Sequence, residues 1–87
     1  MPKVELYTTM MCPFCHAAKR LLRDKGIDFT EYDVTFRPGL RRKMMARANG
    51  GYTVPQIFID DTPIGGCDEL YALDAAGRLD PMLELRS

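Results

Sequence analysis

The sequence has no surplus of either charge: twelve Lys and Arg are matched by twelve Asp and Glu, beside a single His. That balance removes any general electrostatic pull toward nucleic acid or membrane surfaces, so recognition falls to specific contacts. No apolar run approaches the length that spans a bilayer. Met1-Pro2-Lys3-Val4-Glu5 leads into strand-forming residues without an apolar signal core, and the expectation is a cytoplasmic chain. Internal repeats, low-complexity stretches and linkers are missing too, which leaves residues 1–87 as a single domain with one modest core. Cysteine is scarce, at Cys12, Cys15 and Cys67. In a reducing compartment so few thiols read as reactive or idle rather than as structural bridges. A structural zinc site needs four ligands, and beyond Cys12 and Cys15 only Cys67 and His16 remain to supply them, so no metal is expected.

What is present is Cys12-Pro13-Phe14-Cys15, placed after a short apolar run and at the start of a helical pattern. Two thiols three positions apart at a helix start lie on one face, within the span of a disulfide. Pro13 suits the first helical position, where its missing N–H has no intrahelical partner and its φ is already helical. Cys12 is then the N-cap. Its sulfur faces unpaired N–H groups and the positive end of the helix dipole, which favour thiolate and make Cys12 the predicted nucleophile. Cys15, one turn inside, keeps its proton and is the predicted resolving thiol. Cys12 through His16 also matches the C-x-x-C-H string of covalent haem attachment, but that chemistry implies export. Two cysteines packed in a core would leave the helix-start placement a coincidence.

Around this pair the chain reads as alternating strands and helices. Val4 to Tyr7 is a first strand, and the helix from Pro13 carries Phe14, Ala18, Leu21 and Leu22 at helical spacing until Lys25-Gly26. Residues 27–34 form a second strand, and strand, helix, strand in this order is a right-handed unit with parallel strands. After a break at Phe36 to Gly39, Leu40, Met44 and Ala48 mark a helix over 40–49, its other face bearing Arg41, Arg42, Lys43 and Arg47. Gln56 to Ile59 is a buried strand, and Asp60-Asp61-Thr62 turns into an antiparallel fourth strand, Pro63 to Gly66, whose proline places it at an edge. Asp68 and Glu69 start a last helix ended by Gly77, with a short tail or helical turn over 80–85.

Three blocks in this order resemble one family: Tyr7 to Cys15, Thr53 to Ile59, and Gly65 to Leu70. The chain is similar over its whole length to the small bacterial dithiol glutaredoxins. The resemblance implies an α/β thioredoxin-like fold, with a four-stranded mixed sheet flanked by three or more helices. It also implies a glutathione-dependent thiol-disulfide oxidoreductase that reduces protein disulfides and glutathione mixed disulfides, ribonucleotide reductase being one substrate of the family. In this reading Cys12 attacks and becomes Cys12–S–SG, and either a second glutathione or Cys15 resolves it. Glutathione would lie against Phe14, Thr53, Val54 and Pro55, the last following a cis bond, with the Val54 backbone pairing like an added strand. Backbone N–H groups at Cys67 and Asp68 would take the γ-glutamyl carboxylate, the Asp68 carboxylate its ammonium, and Arg42 the glycyl carboxylate. Asp68 serving only as a helix cap is the plainer alternative.

Two positions depart from the family pattern. Thr9 stands where a Lys near the nucleophile is usual, which removes one source of thiolate stabilisation. Phe14 replaces a Tyr and keeps the aromatic wall without its hydroxyl. His16 should face solvent, since successive helix positions point about 100° apart. Cys67 sits at the groove rim, open to oxidation or packing against ligand. The rival functions are a redoxin reduced by thioredoxin reductase, and a module holding an iron–sulfur cluster between two chains, which the stiffening Pro13 disfavours. A working monomer is the expected state.

Overall fold

The computed structural model describes residues 1–85. The strand-forming run after Lys3 becomes β1, Val4–Thr8, with every residue buried. Its alternation sends Val4 and Leu6 to one side and Tyr7 to the other, and these belong to two separate hydrophobic clusters. A strand that feeds a core on both faces must lie inside the sheet. β1 is hydrogen-bonded to parallel β2, Thr30–Asp33, on one side and to antiparallel β3, Gln56–Ile59, on the other; β4, Thr62–Gly65, completes the order β2-β1-β3-β4.

The larger cluster joins Val4, Leu6, Ile57 and Ile59 of the sheet to Ala18 and Leu22 of α1, Pro13–Asp24. Leu70 of α3, Cys67–Ala75, and Leu79 of α4, Leu79–Met82, belong to it as well. On the opposite face Tyr7, Val34 and Phe58 meet Met44 of α2, Pro38–Arg47. Each fully buried side chain of this kind contributes about 1.5–3 kcal/mol. The result is the expected four-stranded mixed sheet flanked by helices on both faces.

Several boundaries differ from the sequence reading, those of β1 and β4 by a single residue. β2 is shorter than 27–34 because Ile27 donates its N–H to Leu22 O, closing α1 through Gly26 at φ +72°, and buries its side chain beneath the loop. α2 starts at Pro38 rather than Leu40, since a proline of preset φ begins a helix as readily as it breaks one. α3 starts at Cys67, with Gly66 and not Asp68 as its N-cap. The tail closes as a true turn, α4. The hairpin between β3 and β4 turns on Asp60 and Asp61, both at positive φ (49° and 66°), the conformation whose twist matches antiparallel strands. Pro63 lies on the edge strand, as its missing donor requires.

A polar network ties α2 to the sheet. Arg47 donates to Glu5 Oε1 at 2.9 Å and to Tyr7 Oη at 2.9 Å, with its guanidinium 4.2 Å above the Phe58 ring. Tyr32 Oη donates to Glu5 Oε2 at 2.9 Å. Glu5 is 3% exposed, so its charge depends on these partners.

Candidate active site

The last residue of β1 hands the chain to a loop that Met10 fastens by donating its N–H to Thr35 Oγ1 at 3.0 Å. Cys12 follows at the N-cap of α1 in an extended conformation, φ −130° and ψ 103°, with Pro13 in the first turn. Its Sγ accepts the Cys15 N–H at 3.2 Å, using one of the donors that a helix start leaves unpaired. The Cys12 thiol also stands 3.7 Å from Val54 O, toward which it donates. Cys15 is fully buried. Burial and the hydrogen bond with Cys12 push its thiol up to about 12, against smaller opposing effects from the Thr9 backbone and Lys19. One sulfur, 7% exposed, therefore receives a backbone donor while its fully buried neighbour holds its proton. The cysteines are all free thiols.

Beside the pair lies an open cavity of about 270 Å³. Phe14, Thr53, Val54 and Pro55 form one wall, and Cys67, Asp68 and Glu69 at the start of α3 form the other. The Val54–Pro55 bond is cis. Cys67 is buried at the first position of α3; burial, and secondarily the Asp68 charge, push its thiol up, so it stays protonated near neutrality. Asp68 is exposed, and the cap role is taken elsewhere, because Glu69 Oε1 accepts the Gly66 N–H at 2.8 Å.

That arrangement depends on Gly65. It has φ +109°, and a Cβ there would lie 2.7 Å from Glu69 Oε1. Gly65→Ala forces a strained backbone and displaces the carboxylate from Gly66, with an expected loss of about 2 kcal/mol. Urea unfolding measures it, and a loss below a few tenths would refute the account.

Of the residues proposed from sequence, Cys12, Cys15, Phe14, Thr53, Val54, Pro55, Cys67 and Asp68 are gathered around this one opening. Arg42 is not among them: it is exposed, with its guanidinium turned toward Gly39. Arg41 stands closer, donating from Nη1 to Tyr52 O at 3.1 Å and lining a second recess of about 480 Å³ with Thr9, Met11 and Phe36. His16 is exposed and borders a smaller recess with Met10, Met11 and Cys12.

A family profile described as glutaredoxin matches residues 4–64. The chain belongs to the glutaredoxin family. It is 54% identical over 84 residues to glutaredoxin 3 of Escherichia coli strain K12, covering 97% of this chain and all of that one. Among solved structures it resembles the glutaredoxin of Brucella melitensis at 48% identity and a TM-score of 0.83, covering 95% of this chain and 89% of that one. A buckwheat glutaredoxin–glutathione complex shares the fold, with a TM-score of 0.87 at 24% identity over 95% of this chain and 77% of that one. The protein is thus a glutaredoxin oxidoreductase of the thiol-disulfide kind.

Sequence reading did not single out Gly66 and Glu69, which line this glutaredoxin's groove, or Arg41, which lines the neighbouring recess. For Arg41 the signal was available. Leu40 and Met44 face the core, and Arg42 lies about 200° round the helix from Leu40, whereas Arg41 lies only about 100° away, at the edge of the packed face. Glu69 three residues after Gly66 has the spacing of a carboxylate that reaches back to a cap.

Proposed function

We propose that the protein reduces glutathione mixed disulfides and protein disulfides with glutathione as reductant, Cys12 being the nucleophile and Cys15 the resolving thiol. The observation that carries this is the Cys15 N–H aimed at Cys12 Sγ, with the groove of residues 53–55 and 67–68 alongside. A donated N–H stabilises negative charge on that sulfur. The Cys12 thiolate attacks the glutathionyl sulfur of a substrate, the substrate leaves as its thiolate, and Cys12–S–SG remains. A glutathione thiolate then attacks that bond, releasing glutathione disulfide and the Cys12 thiolate. Disulfide-bonded or glutathionylated proteins of the cytoplasm are the substrates in this reading.

Glutathione is a dicarboxylate with one ammonium, and the groove offers complementary groups. The first N–H groups of α3, at Cys67 and Asp68, suit the γ-glutamyl carboxylate, and the exposed Asp68 carboxylate suits its ammonium. The glycyl carboxylate goes to Arg41 rather than Arg42, since Arg41 is the one tethered at Tyr52 beside the groove. With Thr9 in place of a lysine, Arg41 is the cation lining that end. The glutathione bound to the buckwheat relative supports the choice of ligand.

Steady-state turnover of a glutathione mixed disulfide tests the reading. Asp68→Asn raises the KM for glutathione about fivefold and Arg41→Gln about threefold, as exposed charge pairs allow, while Arg42→Gln leaves it unchanged. Reduction by thioredoxin reductase at rates that glutathione cannot match would overturn the proposal.

A further inference from the structure

An ion pair, shielded on its lysine side and 34% exposed on its glutamate side, stands one helical turn from the resolving thiol. Lys19 follows Cys15 by four positions on α1, which places both on one face of the helix. Its side chain is 13% exposed, and Nζ donates to Glu31 Oε2 at 2.9 Å. The same carboxylate oxygen accepts the Thr8 hydroxyl at 2.7 Å. Thr8 is buried at the end of β1, the strand that leads into the active-site loop. Side chains from α1, β1 and β2 thus meet at Glu31, with Lys19 one helical turn from Cys15.

Resting on the reading that Cys12 forms a mixed disulfide, we propose that the Lys19–Glu31 pair governs the proton on Cys15. Lys19 stabilises the Cys15 thiolate as it attacks, and Glu31 sets how much of that positive charge the sulfur feels. In the step concerned Cys15 gives its proton to solvent, its sulfur bonds to Cys12 Sγ, and the Cys12–S–SG bond breaks to release glutathione as thiolate. Cys15 is oxidised, Cys12 stays at the disulfide level, and the glutathionyl sulfur is reduced. Lys19 is a positioning residue, acting through Cys15.

The groups acting on this assembly fall on four elements. Cys12 and Lys19 act on the Cys15 thiol, and Lys19 lowers what burial raises. Burial pushes the Glu31 carboxyl up, but hydrogen bonds from Thr8 and Lys19, aided by Arg23, hold it below its ordinary value, so it is charged at neutral pH. Asp33 on β2 also faces Lys19, and α3 contributes Cys67, which faces Cys12. A field from Lys19 that is opposed by Glu31 has a signature no scaffold role shares: removing the two charges moves Cys15 in opposite directions.

The experiment mixes reduced protein with glutathione disulfide, and separately with 2-hydroxyethyl disulfide, quenches with acid at intervals, and follows the Cys12 adduct and the internal disulfide by intact mass. Each upward unit at Cys15 lowers its thiolate fraction tenfold and raises its intrinsic nucleophilicity about threefold, so closure slows about threefold per unit. Lys19→Met is expected to slow closure by about three- to tenfold and move its pH profile upward. Lys19→Arg restores it to within about twofold, and Glu31→Gln speeds closure and moves the profile downward. Adduct formation, which needs no Cys15 thiolate, changes less than about twofold. Closure at the original rate and pH profile in Lys19→Met overturns the proposal, as does slowing by both variants alike. Failure of glutathione disulfide to form an adduct that 2-hydroxyethyl disulfide does form sinks the glutathione reading instead, and closure is still measured.

Discussion

Cys12→Ser is expected to lower kcat/KM for a glutathione mixed disulfide by about 10³-fold or more, while Cys15→Ser retains most of that activity and loses only reduction of protein disulfides. Serine at the helix start receives the same Cys15 N–H but ionises far too weakly to attack sulfur at neutral pH. The asymmetry follows from placement. Cys12 stands at the N-cap beside the groove, whereas Cys15 lies at 0% exposure with its thiol pushed up to about 12, and so cannot begin a reaction in solvent. Once Cys12 is joined to glutathione, Cys15 is the nearest intramolecular nucleophile, and its deletion leaves resolution to a second glutathione. Coupled turnover assays on both variants decide the matter: activity surviving in Cys12→Ser would show that the nucleophile is misassigned.

The second large effect lies outside the site. Arg47→Met is expected to cost about 3 kcal/mol of stability, because it leaves the Glu5 carboxylate buried with Tyr32 as its remaining close donor. Adding Glu5→Gln to that variant should recover much of the loss by removing the unpaired charge. The pH dependence has a defined sign. The Arg47 hydrogen bond, outweighing burial, holds the Glu5 carboxyl below its ordinary value of 4.5. Its contribution is therefore present above that value and lost as pH falls through the lower, folded one. Urea midpoints at pH 7 and pH 3 should differ less from each other in Arg47→Met than in the parent. A loss under about 1 kcal/mol at pH 7 would mean that the network does not hold α2 on the sheet.

Much of this was legible in the sequence because the strongest signals were local. Pro13 after Cys12 announced a helix start, the unbroken apolar run of Gln56 to Ile59 announced a central strand, and Pro63 announced an edge. What stayed hidden depends on through-space geometry. Glu5 sits in an alternating strand pattern and gives no sign that Arg47, 42 positions later, will cover it. That Arg41 would reach the Tyr52 carbonyl, eleven positions later, is likewise invisible in the order of residues. Lys19 and Glu31 lie twelve positions apart, and parallel strands alone do not say that these two side chains will meet.

The two outer strands of the sheet carry a further consequence. β2 and β4 are four residues each, the first showing Thr30, Glu31 and Asp33 to water and the second interrupted by Pro63. A foreign strand would find too few free amides on one rim and misplaced charge on the other. The fold thereby guards itself against zipping into fibres through either rim of the sheet.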